Sequence, residues 1–286
     1  MKKKLLLLLA SILLVSGCDF NEDFSDRYVY TTLYPVEYAT KMLYEDYGNV
    51  ESVYPNGADE TFKVTEKKKN TYSKGEIFIY SGIANEASLA RDLLNRNDKL
   101  KLIDATKGLQ SKSQITNMWL DPSNYLMICS NIKRSLIDYT DNVYIKEDIE
   151  KKYKALNEKI SELDVQLYDI GKNGNYNTIL TTNNSLNYLN KYNINVISLD
   201  ENNPSLTLAY SNARKLIKDN KIQYIYYIEG DELNKTQEKL INSSNLIKIE
   251  INNIFSLKDE ERIAGQDYIS IMNDIINNYK KELYKK

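Results

Sequence analysis

The chain has no histidine among its 286 residues, and this absence narrows the chemistry that it can perform. Serine and cysteine nucleophiles are commonly activated by an imidazole, and many zinc sites use imidazole nitrogen as a ligand. The possible metal-binding groups that remain are carboxylates, amides, hydroxyls and two cysteine thiols. Carboxylate and amide oxygens suit hard cations such as calcium, magnesium and manganese. The sequence therefore excludes histidine-dependent catalysis, and we expect no enzyme.

Four carboxylates are predicted at strand ends or helix starts, where the ligands of α/β proteins gather: Asp59, Glu60, Asp121 and Glu229. Together they could form an oxygen-rich site. The alternative, which we favour, is that Asp121 caps the helix that Pro122 begins and that the others are solvated. The acidic residues 259–261 open the last predicted helix, where negative charge suits the helix dipole.

The first cysteine, Cys18, belongs to an export signal. Lys2–Lys4 precede the apolar run Leu5–Val15, whose 11 residues are too few to span a bilayer, which needs about 20. The segment Val15-Ser16-Gly17-Cys18 resembles the bacterial lipobox. That resemblance implies a signal peptide at 1–17, a diacylglycerol on the Cys18 sulfur and a tether at 18–27. An ordinary signal peptide that happens to contain a cysteine is the alternative.

The second cysteine and the overall charge argue against two further classes of function. Cys129 lies in the apolar run Tyr125–Cys129, which predicts a buried and inert thiol. Lys and Arg number 38 and Asp and Glu 40, so there is no basic excess of the kind that nucleic-acid binders carry. The run Lys67–Lys69 is predicted to be a solvated face.

The elements that must position these residues alternate regularly. Short runs rich in aromatic and β-branched residues are separated by helix-like runs from residue 28 onward, among them a predicted helix at 184–192 and a last one from about residue 259. The predicted strands are residues 28–32, 50–54, 76–80, 101–104, 176–181, 195–199, 222–228 and 246–251. This alternation predicts parallel βαβ units. We therefore expect an α/β fold of two lobes, each a four-stranded parallel sheet flanked by helices.

One long helix interrupts the alternation between residues 145 and 170. Its apolar residues recur at steps of three or four and form one stripe: Ile145, Ile149, Tyr153, Leu156, Ile160, Leu163, Leu167 and Ile170. A coiled-coil partner is the alternative, but strands on both sides favour packing across two lobes. The predicted domains are an N-terminal lobe at 28–144, a rigid connecting helix at 145–171 and a C-terminal lobe at 172–286.

Six short segments, in a fixed order and spacing, carry a family resemblance. They are Tyr30–Pro35, Gly57–Asp59 with Thr61–Thr65, Ile103–Gly108, Trp119–Pro122, Tyr188–Tyr192 and Ala264–Met272. Together they resemble the solute-binding lipoproteins of zinc and manganese ABC importers. The resemblance implies a monomer on the bacterial surface or the periplasmic face of the membrane, anchored through Cys18. Its implied partner is an ABC permease, and its implied cargo is a divalent metal.

The positions at which this family places its metal ligands carry other residues here. The family has three histidines, the third sometimes a glutamate, and then an aspartate or glutamate. By resemblance these positions fall at Glu60 or Thr61, at Asn117, at Asn183 and near Ser256. Zinc sites are usually four ligands drawn from thiolate, imidazole and carboxylate. We therefore predict that this chain does not hold zinc tightly, and a surface adhesin or scaffold is the alternative function.

Overall fold

The computed structural model describes residues 24–59, 61–82, 86–109 and 117–286. The first lobe is built on four parallel strands, in the order β2-β1-β3-β4. The strands are β1 (Tyr28–Thr31), β2 (Asn49–Ser52), β3 (Ile77–Tyr80) and β4 (Lys101–Asp104). All four carboxyl ends therefore lie at one edge of the sheet, and the loops that follow them share that edge.

Helices cover both faces of this sheet. They are α1 (Tyr34–Tyr44) with a 3-10 turn (Glu45–Tyr47), α2 (Glu66–Tyr72), α3 (Glu86–Arg96), α4 (Asn117–Leu120) and α5 (Pro122–Tyr139). Three of them, α1, α2 and α5, begin at a capping side chain or a proline. Pro35 lies in the first turn of α1. Asp121 caps α5 by accepting a hydrogen bond from the Ser123 N–H at 3.0 Å. The predicted capping role of Asp121 is confirmed.

The long helix, α6, runs over Val143–Asn173 and contains 31 residues. Asn142 caps its start, and the predicted stripe is buried along its length apart from Tyr153, which is half-buried. The stripe packs against α5 and α1 on the first-lobe side, and the helix also contacts the last helix of the second lobe. Near its end, a Cβ on Gly171 would lie 1.8 Å from the Tyr192 carbonyl oxygen. Only glycine allows this close approach of the second lobe.

The second lobe repeats the parallel arrangement in the order β6-β5-β7-β8. Its strands are β5 (Thr178–Thr181), β6 (Asn195–Ser198), β7 (Tyr224–Ile228) and β8 (Ile247–Ile251). Its helices are a 3-10 helix (Asn184–Tyr192), α7 (Leu206–Lys218), α8 (Lys235–Asn242), α9 (Asp259–Ile263) and α10 (Tyr268–Leu283). The predicted architecture of two four-stranded parallel lobes with a long helix between them is confirmed.

Two predicted α-helices differ in the structure. Residues 184–192 form a 3-10 helix, which ends at Asn193 in the left-handed conformation. Its asparagine and serine side chains bond to nearby backbone and compete with α-helical bonding. The final helix is broken in two, because Gly265 has a φ of +70° and ends α9 before Asp267 caps α10.

A shared core of aromatic side chains joins the lobes. The rings of Tyr125 and Tyr268 stack at 3.9 Å, and the Tyr268 hydroxyl donates to the Trp119 carbonyl oxygen at 2.6 Å. Cys129 is buried beside them, and burial raises the pKa of its thiol far above the usual range. Within the described residues, none of the helices combines the length and the apolar character that a membrane span needs.

Candidate functional site at the seam between the lobes

The carboxyl edges of the two sheets meet at one seam. The indole N–H of Trp119 donates to the Asn253 carbonyl oxygen at 2.6 Å, and the Tyr34 N–H donates to the Phe255 carbonyl oxygen at 3.0 Å. We define the seam as the contact between the described part of the loop after β2, residues 54–59 and 61–62, and the segment after β8, residues 252–262. The resemblance placed two of the candidate ligand positions in these segments.

The first candidate position falls at Glu60 or Thr61, and only one of the two is described. Glu60, like Cys18, lies outside the described residues. Thr61 is exposed and donates both its N–H, at 2.8 Å, and its hydroxyl, at 2.6 Å, to one oxygen of Asp59. These hydrogen bonds hold the pKa of Asp59 below its usual value. The Asp59 carboxylate therefore serves a local turn.

The second and third positions are Asn117 and Asn183. Asn117 begins α4. Asn183 follows β5, is 8% exposed, and uses both ends of its amide. Its oxygen accepts from the Ser185 N–H at 2.8 Å and caps the 3-10 helix, while its nitrogen donates to Asp231. A ligand at Asn183 would therefore have to replace contacts that already satisfy this side chain.

The fourth position, Ser256, contacts the loop that carries the first. Its hydroxyl donates to the Ala58 carbonyl oxygen at 2.7 Å, and the Gly57 N–H donates to the Leu257 carbonyl oxygen at 3.0 Å. The structure therefore brings Ser256 together with the first candidate loop. None of the hydrogen bonds or ion pairs of the described residues links Asn183 to Ser256 or Thr61.

Lysines pair with two of the four carboxylates that sequence reasoning considered, Glu229 and Asp121. Glu229 pairs with Lys258, whose pKa this contact raises, and Asp121 accepts from the Lys191 ammonium at 2.5 Å. In the described ranges there is no group of three or more acidic or cysteine side chains with the placement of a metal site. No local sequence pattern indicates these pairings, since the partners are 29 and 70 positions apart along the chain.

Aromatic side chains line the seam, and sequence reasoning missed them. The ring of Tyr54 stacks on Phe255 at 6.2 Å with an interplanar angle of 6°, and meets the edge of Phe62 at 5.6 Å. Tyr54 follows β2, and Phe255 follows β8, so this stack crosses between the lobes. A carboxylate, Glu86, also hydrogen-bonds Tyr54 from the first lobe.

Glu86 is the first residue of α3, and its carboxylate bonds the residues that directly follow two strands, Thr32 after β1 and Ser81 after β3. It is 3% exposed, and one of its oxygens accepts from the Thr32 hydroxyl at 2.7 Å and from the Ser81 N–H and hydroxyl at 2.7 and 2.8 Å. Burial raises the pKa of Glu86, although the hydrogen bonds from Thr32, Ser81 and Tyr54 oppose that rise. Sequence reasoning missed Glu86, and its place at the start of a predicted helix that follows a strand was the signal that could have found it.

Two α/β lobes whose strand ends meet at one seam form an architecture that solute-binding proteins use. Residues 29–282 match the family model described as the periplasmic component A of the zinc-uptake complex. The chain therefore belongs to this family, whose members are zinc- or metal-binding components of ABC importers. The family resemblance found in the sequence is confirmed.

Two known zinc-binding or zinc-uptake proteins are similar to this chain in sequence. The chain is 25% identical over 310 aligned residues to the zinc-binding lipoprotein AdcA of Streptococcus pneumoniae, covering 98% of this chain but only 61% of AdcA. It is 22% identical to the high-affinity zinc uptake protein ZnuA of Bacillus subtilis, covering 91% and 88% of the two chains. The chain thus spans about six tenths of the length of AdcA.

Two solved structures are similar to this fold. The Zn(II)-bound ZnuA-like domain of S. pneumoniae AdcA has a TM-score of 0.71 and 24% identity, with 91% of this chain and 99% of that one covered. The metal-dependent lipoprotein YcdH of B. subtilis has a TM-score of 0.73 and 20% identity, with 91% and 100% covered. At these identities the likeness establishes the fold.

Proposed function

We propose that this chain is an extracytoplasmic solute-binding lipoprotein of a zinc- and manganese-type ABC importer in which zinc binding is weak or lost. The observation that carries the proposal is the hydrogen bonding of two candidate ligand positions, Asn183 and Ser256. Asn183 is bonded to Asp231 and to the Ser185 N–H, and Ser256 is bonded to Ala58. Both side chains are neutral, and both are already satisfied within the chain.

The energetics of ion transfer support this proposal. A divalent cation that leaves water must recover its hydration energy from charged or strongly donating ligands. Amide and hydroxyl oxygens at Asn183 and Ser256 return little of it, and their present hydrogen bonds would be lost. The nearby carboxylates Glu229 and Glu37 already pair with Lys258 and Arg262, so a metal that used either of them would have to displace a cation of the chain.

The remaining parts of the proposal follow from the sequence and the family. Acylation of Cys18 would anchor a monomer to the membrane through the tether at 18–27, because two or more acyl chains hold a protein firmly. An ABC permease is the membrane partner that the family implies. The relative AdcA is named a lipoprotein, which supports the anchor. We infer a location on the cell surface or the periplasmic face.

A second candidate function is a surface adhesin or scaffold that no longer carries cargo. The direct contact between Ser256 and Ala58 favours it, since two candidate ligand segments satisfy each other. Fold, anchor and family membership would be retained in such a protein. The two candidates differ in whether a small cargo still binds the folded state.

A thermal-shift titration of the purified mature chain tests the proposal. A cargo that binds only the folded protein raises the melting temperature as its concentration increases. At a concentration of 100 times Kd, it adds about 2.7 kcal/mol to the free energy of unfolding. We expect no shift with micromolar zinc. A shift with manganese, calcium, magnesium or a small organic solute would favour an importer with altered cargo, whereas no shift with any of them would favour the adhesin or scaffold.

A restored variant supplies the matched control. Asn117→His, Asn183→His and Ser256→Asp together return two imidazoles and a carboxylate to the candidate positions. We expect this triple variant to gain a zinc-dependent shift that the parent lacks, since imidazole and carboxylate are zinc ligands. A large zinc shift in the parent itself would contradict the proposal.

A further inference from the structure

An arginine of the second lobe reaches across the seam to the first. Arg262, at the end of α9, donates from its two terminal nitrogens to the Glu37 carboxylate at 2.9 and 3.2 Å. Its Nε donates to the Asn56 side-chain oxygen at 2.6 Å, and the Asn56 nitrogen donates to Asp259 at 2.7 Å. We call these four residues, Glu37, Asn56, Asp259 and Arg262, the arginine clamp.

The clamp lies beside the backbone contacts that close the seam. Asn56 immediately precedes Gly57, whose N–H donates to the Leu257 carbonyl oxygen at 3.0 Å. Ala58 follows and accepts from Ser256 at 2.7 Å. Arg262 therefore fixes the residue before the hydrogen-bonded part of the loop. Its bonds to Asn56 and Glu37 connect that loop, α1 and α9 at one point.

Glu37 is a buried carboxylate, so it needs cation partners to stay charged. Glu37 is 3% exposed, and within the described residues its cation partners are Arg262 and Lys41, the latter at 2.7 Å within α1. Burial alone would raise the pKa of Glu37, but the hydrogen bonds from Arg262 and Lys41 outweigh burial and lower it. The carboxylate thus stays charged, and separation of the lobes would remove its bidentate partner.

We propose that Arg262 is the residue that closes the seam, acting as a cation built into the chain in place of a bound one. The guanidinium holds the 56–58 loop against the 255–258 segment whether or not an ion is present. Since Arg262 is covalently part of the second lobe, closure does not depend on the concentration of any cargo. This inference stands apart from the importer role, because a binding protein and a scaffold could both be closed in this way.

Hydrogen exchange at the Gly57 amide tests the proposal directly, because that N–H donates across the seam. The mature chain is compared with Arg262→Gln and with a control variant, Arg214→Gln. Arg214 lies over the Tyr210 ring on α7. Loss of a charge-assisted contact is expected to speed exchange at Gly57 about tenfold or more. We expect this acceleration in Arg262→Gln only, with the β7 amides unchanged in both variants.

A second comparison separates the built-in cation from a bound one. Exchange at Gly57 in the parent is measured with EDTA and with added zinc, and we expect the two rates to agree. A charge-swapped pair, Glu37→Arg with Arg262→Glu, is expected to recover most of the lost protection. Equal Gly57 rates in the parent and Arg262→Gln would overturn the proposal, and so would a tenfold acceleration of the parent by EDTA.

An exposed position keeps the test decisive if Arg262→Gln loosens the whole chain. Asn56→Ala removes one arm of the clamp from an exposed loop and leaves the Glu37 pair in place. Acceleration confined to Gly57 in this variant supports the clamp. Unchanged exchange at Gly57 overturns it.

Discussion

Glu86 should be the most sensitive single position at the strand ends of the first lobe. Glu86→Ala would leave the Ser81 N–H and the buried hydroxyls of Thr32 and Ser81 without their acceptor. An unsatisfied buried donor costs about 1–3 kcal/mol. The hydroxyls can rotate toward other acceptors, whereas the Ser81 N–H cannot. Counting that N–H and one hydroxyl, we expect a loss of roughly 2–6 kcal/mol in the free energy of unfolding.

The pH dependence of Glu86→Gln gives the same residue a second test. Because burial raises the pKa of Glu86 in the folded state, the folded protein binds this proton more tightly than the unfolded chain does. The contribution of Glu86 to stability is therefore complete below pH about 4 and is lost as the pH rises through the folded pKa. The neutral glutamine cannot follow this change. We expect the destabilisation by Glu86→Gln to be largest in acid and to shrink toward neutral pH.

Urea unfolding at pH 4, 5.5 and 7.5 measures both effects. Glu238→Gln is the matched control, since Glu238 also lies in the first turn of a helix but is exposed. The control is expected to stay within about 0.5 kcal/mol of the parent. The reasoning is refuted if Glu86→Ala costs less than about 1 kcal/mol. It is equally refuted if the cost of Glu86→Gln grows with pH.

Three further predictions concern the core and the clamp. Leu156 is fully buried in the stripe of α6, and Leu156→Ala should lower the free energy of unfolding in urea by about 2–5 kcal/mol. Val165 is 65% exposed on the same helix, and Val165→Ala should change that free energy by no more than about 0.5 kcal/mol. Equal effects of the two variants would contradict burial of the stripe. Since the pKa of Glu37 is lowered in the folded state, its stabilisation should be present above pH about 4.5 and lost in acid. Glu37→Gln should flatten that acid loss, and an unchanged acid limb in urea titrations would argue against it. Cys129 is buried and its thiol has a raised pKa, so it should resist alkylation by iodoacetamide in the folded Cys18→Ser chain and react once urea unfolds the chain. Rapid labelling of the folded chain would contradict the burial of Cys129.

Much of the fold is contained in local patterns of the sequence. Alternation of strand-like and helix-like runs predicts parallel sheets, and the stripe from Ile145 to Ile170 predicts the long helix, because both periodicities are local. The break at Gly265 was missed, since one glycine inside an otherwise periodic run does not reveal its φ. The 3-10 form of residues 184–192 was missed because it depends on how polar side chains compete for the backbone.

The site was predictable only in what it lacks. The substitutions at Asn117, Asn183 and Ser256 can be identified by resemblance and make a zinc site unfavourable. The contacts that replace a ligand join residues far apart: Arg262 and Glu37 are separated by 225 positions, and Ser256 and Ala58 by 198. Local periodicity carries no information on such pairings, which depend on how the two lobes are packed.

Elemental analysis of the purified mature chain tests the proposed loss of zinc binding most directly. The protein is incubated with excess zinc, passed through a desalting column and analysed beside the Asn117→His, Asn183→His, Ser256→Asp variant. We predict far less than one zinc atom per parent chain, because neutral amide and hydroxyl donors replace the charged and imidazole ligands of a zinc site. One zinc atom retained by each parent chain would contradict that prediction.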